Sequence, residues 1–135
     1  MQSSSHQIKV GQTASISKKI IMPDIEDFAR ISMDRNPIHL DEAYAANTQF
    51  KHRIAHGFLV SSFISAVIAE QLPGEGSIYV SQTLNFRKPV FVDDLITAQV
   101  KVLEILKPNL YRLETLCRNQ ANDVVISGEA VVMKK

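Results

Sequence analysis

From Gly57 to Ala69 the chain reads Gly-Phe-Leu-Val-Ser-Ser-Phe-Ile-Ser-Ala-Val-Ile-Ala, apolar except for its serines, before Glu70 and Gln71. The run falls short of the roughly 18–20 residues that span a bilayer. Read as a helix over residues 58–72 it is about 22 Å long at a rise of about 1.5 Å per residue. It is apolar on most faces, so a soluble chain must bury it. Pro73-Gly74-Glu75-Gly76 ends it. The rest of the fold has to cover this helix.

The cover is β. Residues 77–87 alternate, with Ile78, Val80, Leu84 and Phe86 on one face and Tyr79, Ser81, Thr83, Asn85 and Arg87 on the other. Pro89 and Asp93-Asp94 mark a connection to a strand over 95–106. There the apolar set Ile96, Ala98, Val100, Val102 changes phase to Leu103 and Ile105, which predicts a bulge near Val102-Leu103. Lys107-Pro108-Asn109 and residues 119–123 are turns flanking strands at about 110–118 and 124–133. Closely spaced strands without intervening helices predict an antiparallel meander. The sum is an α+β fold, about five strands curled around one long helix.

Upstream, residues 12–21 read as a first strand. Pro23-Asp24 opens a helix whose apolar stripe runs through Ile25, Phe28, Ala29 and Ile31. Pro37 disfavours helix at Asn36, so that helix should stop near Asp34 or Arg35. Residues 34–39 form the following turn, and residues 41–47 a short helix with Asp41 as N-cap.

Composition narrows the class. The chain has 135 residues, the size of one domain, expected over residues 10–135 after a flexible N-terminus at 1–9. Fifteen Lys plus Arg against fourteen Asp plus Glu leave a formal charge of +1, without the basic footprint of a nucleic-acid binder. The one cysteine, Cys117, lies in an alternating stretch and reads as a buried, inert thiol. Residues 1–7 are polar and lack the pattern of an export signal, so a cytoplasmic protein without membrane association is expected.

Chemistry could sit in two places. Asp34-Arg35-Asn36-Pro37-Ile38-His39 can bring a carboxylate and an imidazole together around a water if the turn doubles back. The same residues would also serve as a capped helix end, with Asp34 and Asn36 bonding local backbone and His39 exposed. His56-Gly57 opens the apolar helix, where unpaired N–H groups suit a developing oxyanion and glycine lets a carbonyl approach. It could equally be a simple chain turn.

Other motifs are decoys. His52 and His56 lie four apart, near Asp34, His39 and Asp41, but Lys51 and Arg53 flank His52 and no metal is expected. Gly74-Glu75-Gly76 lacks the context of a phosphate loop. Ser61, Ser62 and Ser65 lack the strand-turn-helix setting of a hydrolase nucleophile, and Ser61 and Ser62 should bond the backbone four residues back.

Together, Asp34-x-Asn36-Pro37-x-His39, Ala55-His56-Gly57 before the long helix, Gln71-Leu72-Pro73-Gly74 before Ser77-Ile78-Tyr79, and Phe86-Arg87-x-Pro89-Val90 carry a likeness. The chain resembles, from roughly Val10 to Val132, the MaoC-like (R)-specific enoyl-CoA hydratases, above all the short bacterial ones that feed polyhydroxyalkanoate synthesis. The resemblance implies a hot-dog fold and reversible syn hydration of a trans-2-enoyl-CoA to the (R)-3-hydroxyacyl-CoA. It implies that Asp34 and His39 activate the water, that the Gly57 N–H polarises the thioester carbonyl, and that Asn36, Ser65 and His56 support them. Phe28, Phe50, Phe58, Leu59, Val60 and Phe63 are candidates for the acyl tunnel, and Lys51, Arg53, Arg87 and Lys88 for CoA phosphates. No metal or redox cofactor is implied, since CoA is part of the substrate. The implied assembly is a homodimer or higher oligomer, joined sheet edge to sheet edge with acyl-CoA at the interface. A hot-dog thioesterase and a non-catalytic acyl-thioester binding subunit are the competing readings.

Overall fold

The apolar helix lies across an antiparallel sheet in a computed structural model that describes residues 7–135. The first six residues of the expected flexible N-terminus lie outside the described residues, and by Ile8 the chain already packs against the core. In order, the elements are β1 (Thr13–Lys19), α1 (Met22–Ser32), α2 (Pro37–Leu40), α3 (Glu42–Ala46), α4 (Gly57–Glu70), β2 (Ile78–Gln82), β3 (Asn85–Phe86), β4 (Leu95–Lys107), β5 (Leu110–Arg118) and β6 (Val124–Met133). The sheet runs β1-β4-β5-β6-β2, with β3 paired to β6. This is the hot-dog architecture.

Leu59, Val60, Ile64, Val67 and Ile68 form the buried face of α4. Facing them are Ile96, Ala98, Val100 and Val102 of β4 and Leu113 and Cys117 of β5, all fully buried. Each buried Val, Leu or Ile contributes on the order of 1.5–3 kcal/mol over its exposed state, and this sandwich is where the fold gathers that energy. Burial pushes the Cys117 thiol up to about 12, so it sits protonated beside the Val60 carbonyl. The opposite stripe of α4, through Phe58, Ser62, Ser65 and Ala69, is exposed, so the helix is less completely covered than its composition predicts.

The predicted bulge in β4 is present as a register shift between Val102 and Glu104. Residues 77–87 are not one strand. A bulge between Tyr79 and Ser81 breaks the alternation, Thr83 and Leu84 lie outside the strands, and Asn85 and Phe86 pair with β6 as a separate two-residue strand. Ile78 and Val80 therefore stand 62% and 56% exposed on an edge strand. α1 stops at Ser32, short of Asp34, because Met33 adopts a left-handed φ of 68° and returns its N–H to the Ala29 carbonyl. Pro37 does not merely stop a helix. It occupies the first turn of α2, an element absent from the expected pattern. Among the described residues no helix is long and apolar enough to cross a membrane.

Candidate active site

After Met33 the chain descends a staircase of side-chain to backbone bonds. The Asp34 N–H donates to Ser32 Oγ at 3.1 Å, Asp34 Oδ1 accepts the Asn36 N–H at 3.3 Å, and Asn36 Oδ1 accepts the Ile38 N–H at 3.2 Å. Asn36 thus caps α2, and that single turn of helix swings His39 inward until only 8% of it is exposed. The turn doubles back, as convergence of Asp34 and His39 requires. The Asp34 side is open to solvent.

The loop ahead of α4 is held on both flanks. The Ile54 N–H donates to the Ile38 carbonyl at 3.2 Å and the Ala55 N–H to the Val90 carbonyl at 2.7 Å, with Ile54 bridged to Phe91. Ile54 in turn offers its carbonyl to His39 Nδ1 at 2.7 Å. A carbonyl can only accept, so Nδ1 carries the proton and Nε2 is left as a base. His56, 2% exposed, donates from Nε2 to the Asp34 backbone carbonyl at 2.9 Å. Its ring stacks on His39 with centroids 3.8 Å apart and planes inclined by 28°.

One carboxylate oxygen of Asp34 and one ring nitrogen from each histidine lie within 4.8 Å of one another. These are the donor types of a metal site, but one nitrogen of each ring already donates to a backbone carbonyl, His39 Nδ1 to Ile54 and His56 Nε2 to Asp34. The arrangement suits proton transfer better. Burial lowers the pKa of His39 below its ordinary 6.5, and neighbouring His56 adds to the effect. The Ile54 carbonyl and Asp34 oppose it without reversing it. His39 is therefore neutral, with Nε2 able to accept, at neutral pH.

His39 opens onto a cavity of about 460 Å³ that also takes in Gly57, Phe50, Phe58, Val60 and Phe86, with Arg87 and Lys88 on its wall. Gly57 begins α4, where backbone N–H groups precede any intrahelical partner. A Cβ on Gly57 would come within 2.5 Å of the Phe86 ring, so the room that glycine leaves is occupied by an aromatic edge. Phe86 meets Phe58 edge-on, centroids 5.7 Å apart.

Of the tunnel candidates, Phe50, Phe58 and Val60 line this cavity, whereas Phe28, Leu59 and Phe63 do not. Phe28 packs on His56 at 4.8 Å, Leu59 is buried in the core, and Phe63 packs against the core from its edge. Ser65 is not brought to the cavity, because eight residues of helix, about 12 Å of rise, carry it away from Gly57 on the exposed stripe. Ser61 bonds the Gly57 carbonyl four residues back, at 2.8 Å, while Ser62 reaches Leu59, three back. Of the basic candidates, Lys51 does not line the cavity and Arg53 is drawn to Glu42 at 3.3 Å. Arg87 donates to Ser127 Oγ at 2.7 Å, and Lys88 sits 3.3 Å from Asp123. Residue type does not reveal the Ile54 carbonyl, a backbone atom, or the Phe86 contact, which depends on a long-range meeting of β3 with α4.

Residues 4–115 match the family described as MaoC like domain. The chain belongs to that family. Two relatives of the MaoC-like chain are (R)-specific enoyl-CoA hydratases. The one from Rhodospirillum rubrum is 50% identical over 127 residues, covering 93% of this chain and 88% of the relative. The one from Aeromonas caviae is 42% identical over 130 residues, covering 96% and 97%. The structure of R-hydratase PhaJ1 from Pseudomonas aeruginosa superposes with a TM-score of 0.91 at 50% identity, covering 94% of this chain and 82% of that one.

Proposed function

We propose that this MaoC-like chain is an (R)-specific enoyl-CoA hydratase whose water is activated by Asp34 and His39 and whose thioester oxygen is held by the Gly57 N–H. One observation carries the reading. His39, its Nδ1 proton fixed by the Ile54 carbonyl, and Gly57, the first residue of a 14-residue helix, line one cavity, and a carboxylate oxygen of Asp34 lies within 4.8 Å of a ring nitrogen of His39.

In the hydration direction the water gives a proton to the Asp34/His39 pair as its oxygen bonds to the β-carbon. The alkene electron pair moves toward the thioester carbonyl, forming an enolate whose oxygen accepts from Gly57. The α-carbon then takes a proton from the same pair. Addition and protonation from one side give the syn outcome. A preorganised N–H of this kind is worth on the order of 3–4 kcal/mol in the transition state. Asn36 sets the turn that presents Asp34 and His39. Phe50, Phe58 and Val60 shape the acyl end, and Arg87 and Lys88 meet phosphate at the cavity wall.

A homodimer joined at β2 belongs to the same reading. Its support is the apolar edge strand, on which Ile78 and Val80 are exposed. The deciding assay is hydration of crotonyl-CoA with the product's configuration determined. Loss of enoyl absorbance without thiol release, yielding the (R)-alcohol, is expected. Thiol release would identify a thioesterase, and binding without turnover a silent acyl-thioester subunit; either overturns the proposal.

A further inference from the structure

His56 makes more contacts than a residue that merely precedes a helix needs. It is 2% exposed, and its ring is gripped on one side by His39 at 3.8 Å and met by Phe28 at 4.8 Å. Its Nε2 donates to the Asp34 carbonyl across 22 residues of sequence. Its own carbonyl accepts the Leu59 and Val60 N–H groups at 3.1 and 3.2 Å, starting the ladder of α4 directly after Gly57. One side chain and its backbone therefore touch the Asp34 turn, the His39 ring and the helix end that presents Gly57.

The two ring nitrogens are not used alike. Donation to a carbonyl requires the proton on Nε2, which leaves Nδ1 as a buried acceptor, and no partner reaches it among the described residues. An unpaired buried acceptor is a cost. A phenyl ring would fill the same space and stack on the same neighbours without it. What imidazole adds is the Nε2–H donor, and that donor goes to the backbone of Asp34.

We propose that His56 is the positioning residue of this site, fixing the Asp34 turn against His39 and against the start of α4 through its Nε2–H bond. The inference rests on the hydratase reading for its catalytic consequence, though not for its structural one.

His56→Phe retains ring volume and stacking but loses the donor. His56→Gln replaces the donor with an amide N–H at similar reach. Crotonyl-CoA hydration is measured for both, together with thermal melting and amide hydrogen exchange at Asn36 and Ile38, whose N–H groups the turn holds. In His56→Phe, kcat should fall about 10- to 100-fold, as small misplacements of catalytic groups do, with KM little changed. The Asn36 and Ile38 amides should exchange faster at near wild-type melting temperature, and His56→Gln should recover most of both losses. Wild-type kcat and exchange in His56→Phe would overturn the proposal. So would equal damage in both variants with lowered melting temperature, which would mark His56 as a packing residue only. A wild-type protein that leaves crotonyl-CoA unchanged would sink the hydratase reading, while the exchange comparison would still decide whether His56 holds the turn.

Discussion

Two glycines mark two kinds of close approach in this molecule. At Gly128, on β6, an added Cβ would overlap the backbone carbonyl of Thr83 as the chain crosses from β2 to β3. At Gly57 it would press on the Phe86 ring, a side chain 51% exposed. The first neighbour cannot yield without displacing main chain that bonds back to β6, where Thr83 donates to the Glu129 carbonyl at 2.8 Å. The second can rotate toward solvent. The sheet is closed by backbone against backbone, while the cavity is bounded at Gly57 by a half-exposed side chain that can move.

Gly128→Ala should therefore cost at least about 3 kcal/mol, the upper end for overpacking, seen as a large fall in melting temperature or loss of soluble protein. A variant that melts with wild type would break the contrast between the two glycines. The proposed catalytic pair, Asp34 and His39, should show the reverse pattern. Asp34→Asn and His39→Gln are each expected to lower kcat about 100-fold or more. Melting temperature should barely change in Asp34→Asn, whose side chain is exposed, and fall modestly in His39→Gln, which loses a buried ring stacked on His56. Near wild-type turnover in either would remove that residue from the chemistry.

Gly57→Ala should fall between these, losing about 1 kcal/mol of stability as the Phe86 ring is pushed aside. Pairing it with Phe86→Leu should restore most of that loss if the ring alone is in the way. A cost that persists in the double variant would locate the strain in the backbone of α4 and make the two glycines alike.

Where local chemistry decides structure, the sequence is readable. The phase change at Val102-Leu103 appears as the β4 register shift, and the turns at 107–109 and 119–123 bound β5 and β6 as expected. Asp34, His39 and Gly57 stand out by residue type and motif order, and the fold brings His39 and Gly57 to one cavity with a carboxylate oxygen of Asp34 within 4.8 Å of a ring nitrogen of His39. The failures share a cause. Residues 77–87 read as one alternating strand, but the bulge after Tyr79 and the crossing of Thr83 over Gly128 depend on a distant partner strand. Pro37 looked like a terminator because its effect on Asn36 is local, whereas its use in α2 depends on the Asn36 cap. No side-chain pattern encodes the Ile54 carbonyl that fixes the His39 tautomer. Ser65 enters only through the resemblance, and it does not line the cavity of this chain.

The smallest expected effect tests whether His39 belongs to the yielding region or the rigid one. Its pKa lies below 6.5, chiefly because burial disfavours the charged ring. The base form is thus already present at neutral pH, and kcat/KM should fall only as pH drops through that lowered value. The acidic limb of the rate profile should have its midpoint below 6.5. The same shift contributes stability, fully present above the unfolded value of about 6.5 and lost as pH falls through the folded one. Melting temperature should therefore dip modestly on acidification, and His39→Gln should remove His39's share of the dip. A limb centred above 6.5 would mean that His39 is held charged, its Ile54 bond and the Asp34 carboxylate outweighing burial, and that the inner wall of the cavity is as open to water as its mouth.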